Sequence, residues 1–297
     1  MTSPRQVLPG TTYLVTRRCS QRQFLLRPSA TTNQVFLYLL AVAAHRFGVE
    51  VHAFCVLSNH YHLVVTDPQA RLPAFHQLLD ALVARALNAS LGRWEAFWAP
   101  NSYSAVRIDS PDDVLDKVAY VLANPVAAGL VGTGDVWPGL WSRPEWIGGE
   151  ELEVRRPSHF FDPEGPLPEE ITLQLVTPRG FGSAERFRSE LAPALRARES
   201  DAREIQYARG GFLGLERVLA QKPMARPAPA EPRRVLNPRA AARDKWKRIE
   251  VLQRLAEFIG AYRRAWSAWR AGATGVLFPA GTYLMRVMHG ASCCAPG

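Results

Sequence analysis

Apolar positions between residues 11 and 108 follow two rhythms, one of period two and one of period 3.6, and their order predicts a fold. Residues 11–19, rich in β-branched and aromatic side chains, read as a strand. Over residues 31–47 the large apolar positions Phe36, Leu39, Leu40, Ala43 and Phe47 fall at helical spacing, and Gly48 is placed to stop the helix. Residues 49–57 form a second strand, and Ser58-Asn59 turns it into a third that carries His60 and His62. Residues 71–91 show one apolar stripe, from Leu72 and Phe75 to Ala86 and Leu87, closed by Gly92. A short strand over Ser104–Ile108 completes the order β-α-β-β-α-β. That order predicts an α+β, ferredoxin-like antiparallel sheet with both helices on one face, covering the side that bears Tyr61, Leu63 and Val65. The imidazole side is expected to be left free.

A further helix begins at Ser110-Pro111-Asp112-Asp113, where a Ser N-cap, Pro at the first position and an S-x-x-D box coincide. Val114, Val118, Val121 and Leu122 fall on one of its faces. Asp116, Tyr120 and Asn124 fall on the other, with Asn124 at or just past the last turn because Pro125 closes the helix. The aromatic, Pro- and Gly-rich residues 137–146 are expected to pack a domain edge. The predicted division is a first domain over 1–148, a linker (150–178) and small helical region within 149–221, and a basic region over 222–297. The last comprises a Pro-rich hinge over 222–237 and a long basic helix over 238–271, so the C-terminal part is expected to be mainly helical.

Charge sharpens that division. The 297 residues carry a net charge of +9, but residues 222–297 hold 14 Lys or Arg against four Asp or Glu, whereas the first 221 residues hold 22 against 23. The excess is confined to the C-terminal quarter, which points to a polyanionic partner, nucleic acid before membrane. Arg239, Arg243, Lys245, Lys247 and Arg248 are its candidate phosphate contacts. The longest apolar run, residues 35–44, is too short to span a bilayer, and the first ten residues lack an apolar signal core, so a cytoplasmic protein is expected. Four cysteines without a C-x-x-C pair exclude a zinc ribbon or thioredoxin-like motif.

The candidate chemistry lies in C-V-L-S-N-H-Y-H-L-V-V, residues 55–65. Residues two apart on a strand share a face, so His60 and His62 present two imidazoles side by side. Two such groups can share one divalent ion. Alone, an H-x-H on a strand is more often an ordinary surface pair than a metal site.

Together with the run Y-V-L-A-N-P-V-A-A-G-L-V over residues 120–131, the pattern resembles the single-tyrosine HUH transposases, in particular the REP-associated tyrosine transposase branch. The resemblance spans roughly residues 10–145. It implies a ferredoxin-like nuclease with a catalytic helix, acting on single-stranded DNA through a 5′-phosphotyrosine intermediate, at sites flanking DNA hairpins. By resemblance, Tyr120 is the nucleophile, and His60, His62 and Asn124 hold Mg²⁺ or Mn²⁺. By the same resemblance, many relatives have Arg where this chain has Ala127 or Ala128, so one expected phosphate contact is missing. Asp116, one turn before Tyr120, is the one candidate general base.

The expected partners are single-stranded or hairpin DNA, with a homodimer allowed and neither a membrane nor a nucleotide cofactor called for. Two other classes compete. A catalytically silent DNA-binding or regulatory protein on the same fold would share every feature except use of Tyr120. A metal-dependent hydrolase of small molecules would need more acidic ligands and would leave the basic C-terminus unexplained.

Overall fold

The computed structural model describes residues 4–100, 102–227 and 238–295. Four strands, β1 (Thr11–Arg18), β2 (Glu50–Leu57), β3 (His60–Asp67) and β4 (Ser104–Ile108), pair antiparallel in the order β2-β3-β1-β4. Helix α1 (Ala30–Phe47) is capped by the Ser29 side chain, which accepts from Thr32 N–H, and it ends on Gly48 in the left-handed conformation that lacks a penalty only for glycine. Helix α2 (Leu72–Ser90) follows β3. Both helices cover the face bearing Tyr61, Leu63 and Val65, as the periodicity predicts: Tyr61 is fully buried, with its ring edge-on to Phe36 and its hydroxyl donating to Asp80 Oδ1 at 2.7 Å.

The opposite face is not free. Helix α3 (Pro111–Leu122) packs across β2 and β3 on the imidazole side and buries His62. The cause is visible in β2, whose register places Ala53, Cys55 and Leu57 opposite Val64, His62 and His60. That face is therefore largely apolar, and the stripe of Val114, Val118, Val121 and Leu122 covers it. Near-continuous apolar residues along 51–57, rather than strict alternation, are the mark of a strand buried on both sides.

Two segments differ from expectation. The stretch expected as a linker folds as a strand pair, β5 (Leu152–Arg155) with β6 (Glu170–Leu173), that packs on α1. Tyr38 donates its hydroxyl hydrogen to Pro168 C=O at 2.6 Å, and Val176 N–H donates to Val51 C=O at 2.8 Å. Each strand has only four residues, too few for an alternating pattern to stand out. Helices α4 (Asn124–Ala127), α5 (Ala184–Ala208) and α6 (Leu215–Leu219) follow in the chain, and α5 lies along α3.

The basic helix is the second. Rather than starting at 238, α7 (Lys245–Arg270) starts at Lys245, where the Asp244 carboxylate accepts from Lys247 N–H. Before it, β7 (Ala240–Ala241) adds a parallel strand to the edge of β4, so the sheet is mixed rather than wholly antiparallel. Arg243 N–H donates to Asp113 Oδ1 at 2.9 Å, and the carboxylate that completes the α3 cap thereby also docks this segment. Residues 228–237 of the expected hinge lie outside the described residues. Residues 137–146 pack a domain edge as expected: Trp137 Nε1–H donates to Val56 C=O and Trp141 Nε1–H to Leu122 C=O. Cys19 and Cys55 are buried thiols, and no helix among the described residues is long and apolar enough to cross a membrane.

Buried histidines set an acid limit on this fold. Burial pulls His52 down to about 4 and His76 to about 3, so both are neutral in the folded state. In the unfolded chain they titrate near 6.5. Below that value the unfolded state binds more protons, and stability is lost as pH falls towards the folded values. Each residue contributes a slope of up to ~1.4 kcal/mol per pH unit. Thermal melts are expected to show a Tm that falls steadily from pH 6.5 to 4.5; a flat profile would contradict neutral burial.

Candidate functional site

His60 and His62 project from β3 to the same side, with ring centroids 4.9 Å apart. Each has a partner on Nδ1. Asn59 Oδ1 accepts from His60 Nδ1–H at 2.6 Å, and Thr16 Oγ1 shares a 2.8 Å hydrogen bond with His62 Nδ1. The Asn59 oxygen can only accept, so His60 carries its proton on Nδ1 and its Nε2 lone pair is free. With Thr16 Oγ1 as acceptor the same holds for His62, and a polar partner on the other ring nitrogen is the usual second layer of a metal-binding histidine. Burial, then the neighbouring His62 and the Arg18 and Arg22 guanidinia, hold His60 well below its ordinary value. Burial and Arg18 bring His62 to about 3. The pair is neutral at pH 7, the state a metal requires.

Tyr120 sits on the helix that covers this pair. Its ring lies 5.5 Å from the His62 ring, edge-on at 83°, and is half-buried. Val118 and Val121, its neighbours on the inner face of α3, are fully buried, so the helix does not depend on the Tyr120 ring to seal the sheet. The helix stops at Leu122 because Pro125 has no N–H to continue it, and Asn124 opens the four-residue α4. Asn124 is buried, and its side chain makes no hydrogen bond to the described residues. Among those residues no third His, Cys, Asp or Glu joins the two histidines as a metal-binding cluster.

Asp116 is not poised as a base. Burial raises its affinity for a proton, but hydrogen bonds from Arg198 and from Lys117 (3.0 Å) outweigh that and hold it below the usual carboxylate range. The sequence does not reveal Arg198, which reaches over from α5 with its guanidinium 5.9 Å from the Tyr120 ring centre. Nor does it reveal the Thr16 partner of His62, 46 residues away. Asn59 is adjacent to His60 in the chain, and that adjacency is the signal by which it could be found.

The five basic candidates do not form one patch. Arg243, Lys245, Lys247 and Arg248 are exposed around the start of α7, beside the N-terminus of α3. Tyr120 lies seven residues beyond Asp113 on α3, ~10 Å at 1.5 Å per residue. Arg239 is half-buried and lines a cavity on the α2 side of the sheet.

No family model matches the chain, and no curated protein matches it. Among solved structures it is similar to a REP-associated tyrosine transposase bound to a REP hairpin, at 21% identity and a TM-score of 0.40, over 47% of this chain and 81% of that one. It is also similar to a transposase described for Deinococcus radiodurans R1, at 19% identity and a TM-score of 0.30, over 39% of this chain and 93% of that one.

Proposed function

We propose that the protein is a single-strand DNA endonuclease and strand-transferase, a transposase, in which Tyr120 attacks a backbone phosphate and forms a 5′-phosphotyrosine, freeing a 3′-OH. The observation that carries the reading is the Tyr120 ring set edge-on, 5.5 Å from His62, over a pair of neutral imidazoles. His60 and His62 Nε2 would hold Mg²⁺ or Mn²⁺, with the Asn124 amide and a substrate phosphate oxygen as the remaining donors. The donor chemistry fits: two imidazoles whose Nδ1 positions are taken leave two nitrogens free on one side. An ion held there would polarise the scissile phosphate and offset its developing charge.

The chain's own side chains do the rest. The phenol is a weak nucleophile in its neutral form, so its position beside the phosphate matters more than its basicity. The bond between phosphorus and Tyr120 Oη retains the energy of the broken phosphodiester, so a 3′-OH can reverse the attack without ATP. Asp116, ionised and shared between two cations, orients Arg198 rather than accepting the phenolic proton. Arg198, supplied from α5 beside the Tyr120 ring, serves as the phosphate-facing cation in a chain that has Ala at both 127 and 128. Arg198→Ala is expected to slow cleavage about 100-fold, as loss of one charge-stabilising donor does elsewhere; an unchanged rate would leave Arg198 a structural tie to Asp116.

Exposed cations around the start of α7 are proposed to bind phosphates of the flanking DNA, single-stranded or in a hairpin. A Lys245→Gln, Lys247→Gln, Arg248→Gln variant should flatten the slope of log affinity against log salt by ~2, three lost contacts at roughly 0.7 each. An unchanged slope would assign these residues to solvent. Incubating labelled single-stranded DNA with the protein and Mg²⁺ or Mn²⁺ tests the main reading: nicking is expected, and its absence across many sequences would favour the catalytically silent DNA-binding alternative.

A further inference from the structure

The face of the sheet opposite the histidines carries a cavity of about 800 Å³, roofed by α7 and by residues 282–284. Register fixes its side. Tyr13 and Arg17 pair with Val65 and Tyr61, whereas Thr16 pairs with His62, so the cavity and the imidazoles lie on opposite faces. Its size falls within the ~300–1,000 Å³ of small-molecule sites.

Every charged side chain lining the cavity is an arginine: Arg5, Arg17, Arg107, Arg239 and Arg254. Three of these have carboxylates beside them: Asp109 for Arg107, Glu250 for Arg254, and Asp80 for Arg17. The Arg17 contact is loose, with Nε 3.6 Å from Asp80, and that Nε is buried without a hydrogen-bond partner. Arg5 has no ion pair among the described residues. Its Nη2 donates to Tyr103 C=O at 2.8 Å and its guanidinium lies 4.2 Å above the Tyr103 ring, while its Nη1 is buried and unpartnered. Buried, unpaired donors on cations are costly, and a structure that keeps two of them in one cavity calls for an acceptor to fill them. Burial, opposed by Tyr103 and seconded by Arg239 and Arg17, disfavours the charged form of Arg5.

Aromatic side chains share the rest of the lining with aliphatic ones. Tyr103, Tyr262, Trp266 and Tyr283 reach the same space. Guanidinium forks suit phosphate oxygens, and aromatic faces suit a planar base.

From this juxtaposition we propose that the cavity binds a nucleotide, its phosphate on Arg5, Arg17 and Arg239 and its base among Tyr262, Trp266 and Tyr283. Two sources share that chemistry, a free nucleotide and a terminal unit of a single DNA strand. The site lies behind the sheet and uses neither the histidines nor Tyr120, so it goes beyond the cleavage reading and stands or falls without it.

Calorimetric titration of the full chain, in EDTA so that no cleavage occurs, tests the assignment. The probes are thymidine 5′-monophosphate and 5′-phosphorylated tetrathymidylate. Both are expected to bind, and Arg239→Gln should weaken each at least tenfold. Leu255→Trp, which fills the cavity without changing charge, should do the same, and it guards against a fold-specific failure of the first variant. Equal affinity for the two probes assigns a free nucleotide; a tetranucleotide bound at least tenfold more tightly assigns a strand end. No binding by the wild-type chain, or wild-type affinity in either variant, would overturn the proposal. Because metal is absent, loss of nicking at Tyr120 has no bearing on the result.

Discussion

Tyr120→Phe is expected to abolish nicking, by at least about 1,000-fold, while leaving the thermal midpoint and DNA affinity nearly unchanged. The change removes one hydroxyl oxygen and keeps the ring. The ring's contacts with His62 and with the Arg198 guanidinium are made by its face and edge, which Phe retains. The hydroxyl makes no hydrogen bond among the described residues, so its loss orphans no buried partner and costs little stability. The same oxygen is the one atom of this side chain able to attack phosphorus. A tyrosine serving only to pack would give the reverse pattern, with activity retained.

His60→Ala and His62→Ala should each reduce nicking by about 1,000-fold, and the double change should cost little more than either alone. The reason is that two imidazoles 4.9 Å apart on one strand face act as one site, and removing either donor dismantles it. Thr16→Val is the graded control. It leaves both imidazoles in place but removes the partner of His62 Nδ1, and changes of this kind cost about 10–100-fold in metal affinity. A higher Mg²⁺ or Mn²⁺ concentration should rescue Thr16→Val and fail to rescue His60→Ala. If a single histidine variant kept near-normal activity, the shared-ion account would be wrong.

How far the sequence foretold this molecule follows from where each signal resides. The four-stranded core, its two covering helices and the capped start of α3 were legible because each depends on residues within a few positions of one another. Gly48 and Ser110 mark ends that their own side chains and dihedrals dictate. The H-Y-H alternation correctly assigned Tyr61 inward to α1 and α2 and the histidines to the other side.

What the sequence hid is long-range. That α3 would close over the imidazole face depended on two apolar surfaces meeting, residues 53–64 and 114–122, and periodicity shows each without showing the meeting. Strand β7 has two residues, below any pattern length, and exists because β4 offers an unpaired edge. Arg198 reaches Tyr120 only because α5 lies along α3, and nothing near residue 198 in the chain announces it. The basic C-terminal quarter was legible as charge but not as architecture. Arg239 turns into a cavity while Lys245, Lys247 and Arg248 face solvent.

The most direct test of the central claim is mass spectrometry of a trapped protein–DNA complex. Single-stranded DNA carrying sequence from the protein's own locus would be incubated with the full chain and Mn²⁺, denatured, and digested with nuclease and protease. The account predicts a nucleotide phosphate covalently attached to the peptide containing Tyr120, absent from Tyr120→Phe. An adduct on Tyr61, Tyr103 or any other residue, or nicking with no adduct at all, would contradict it.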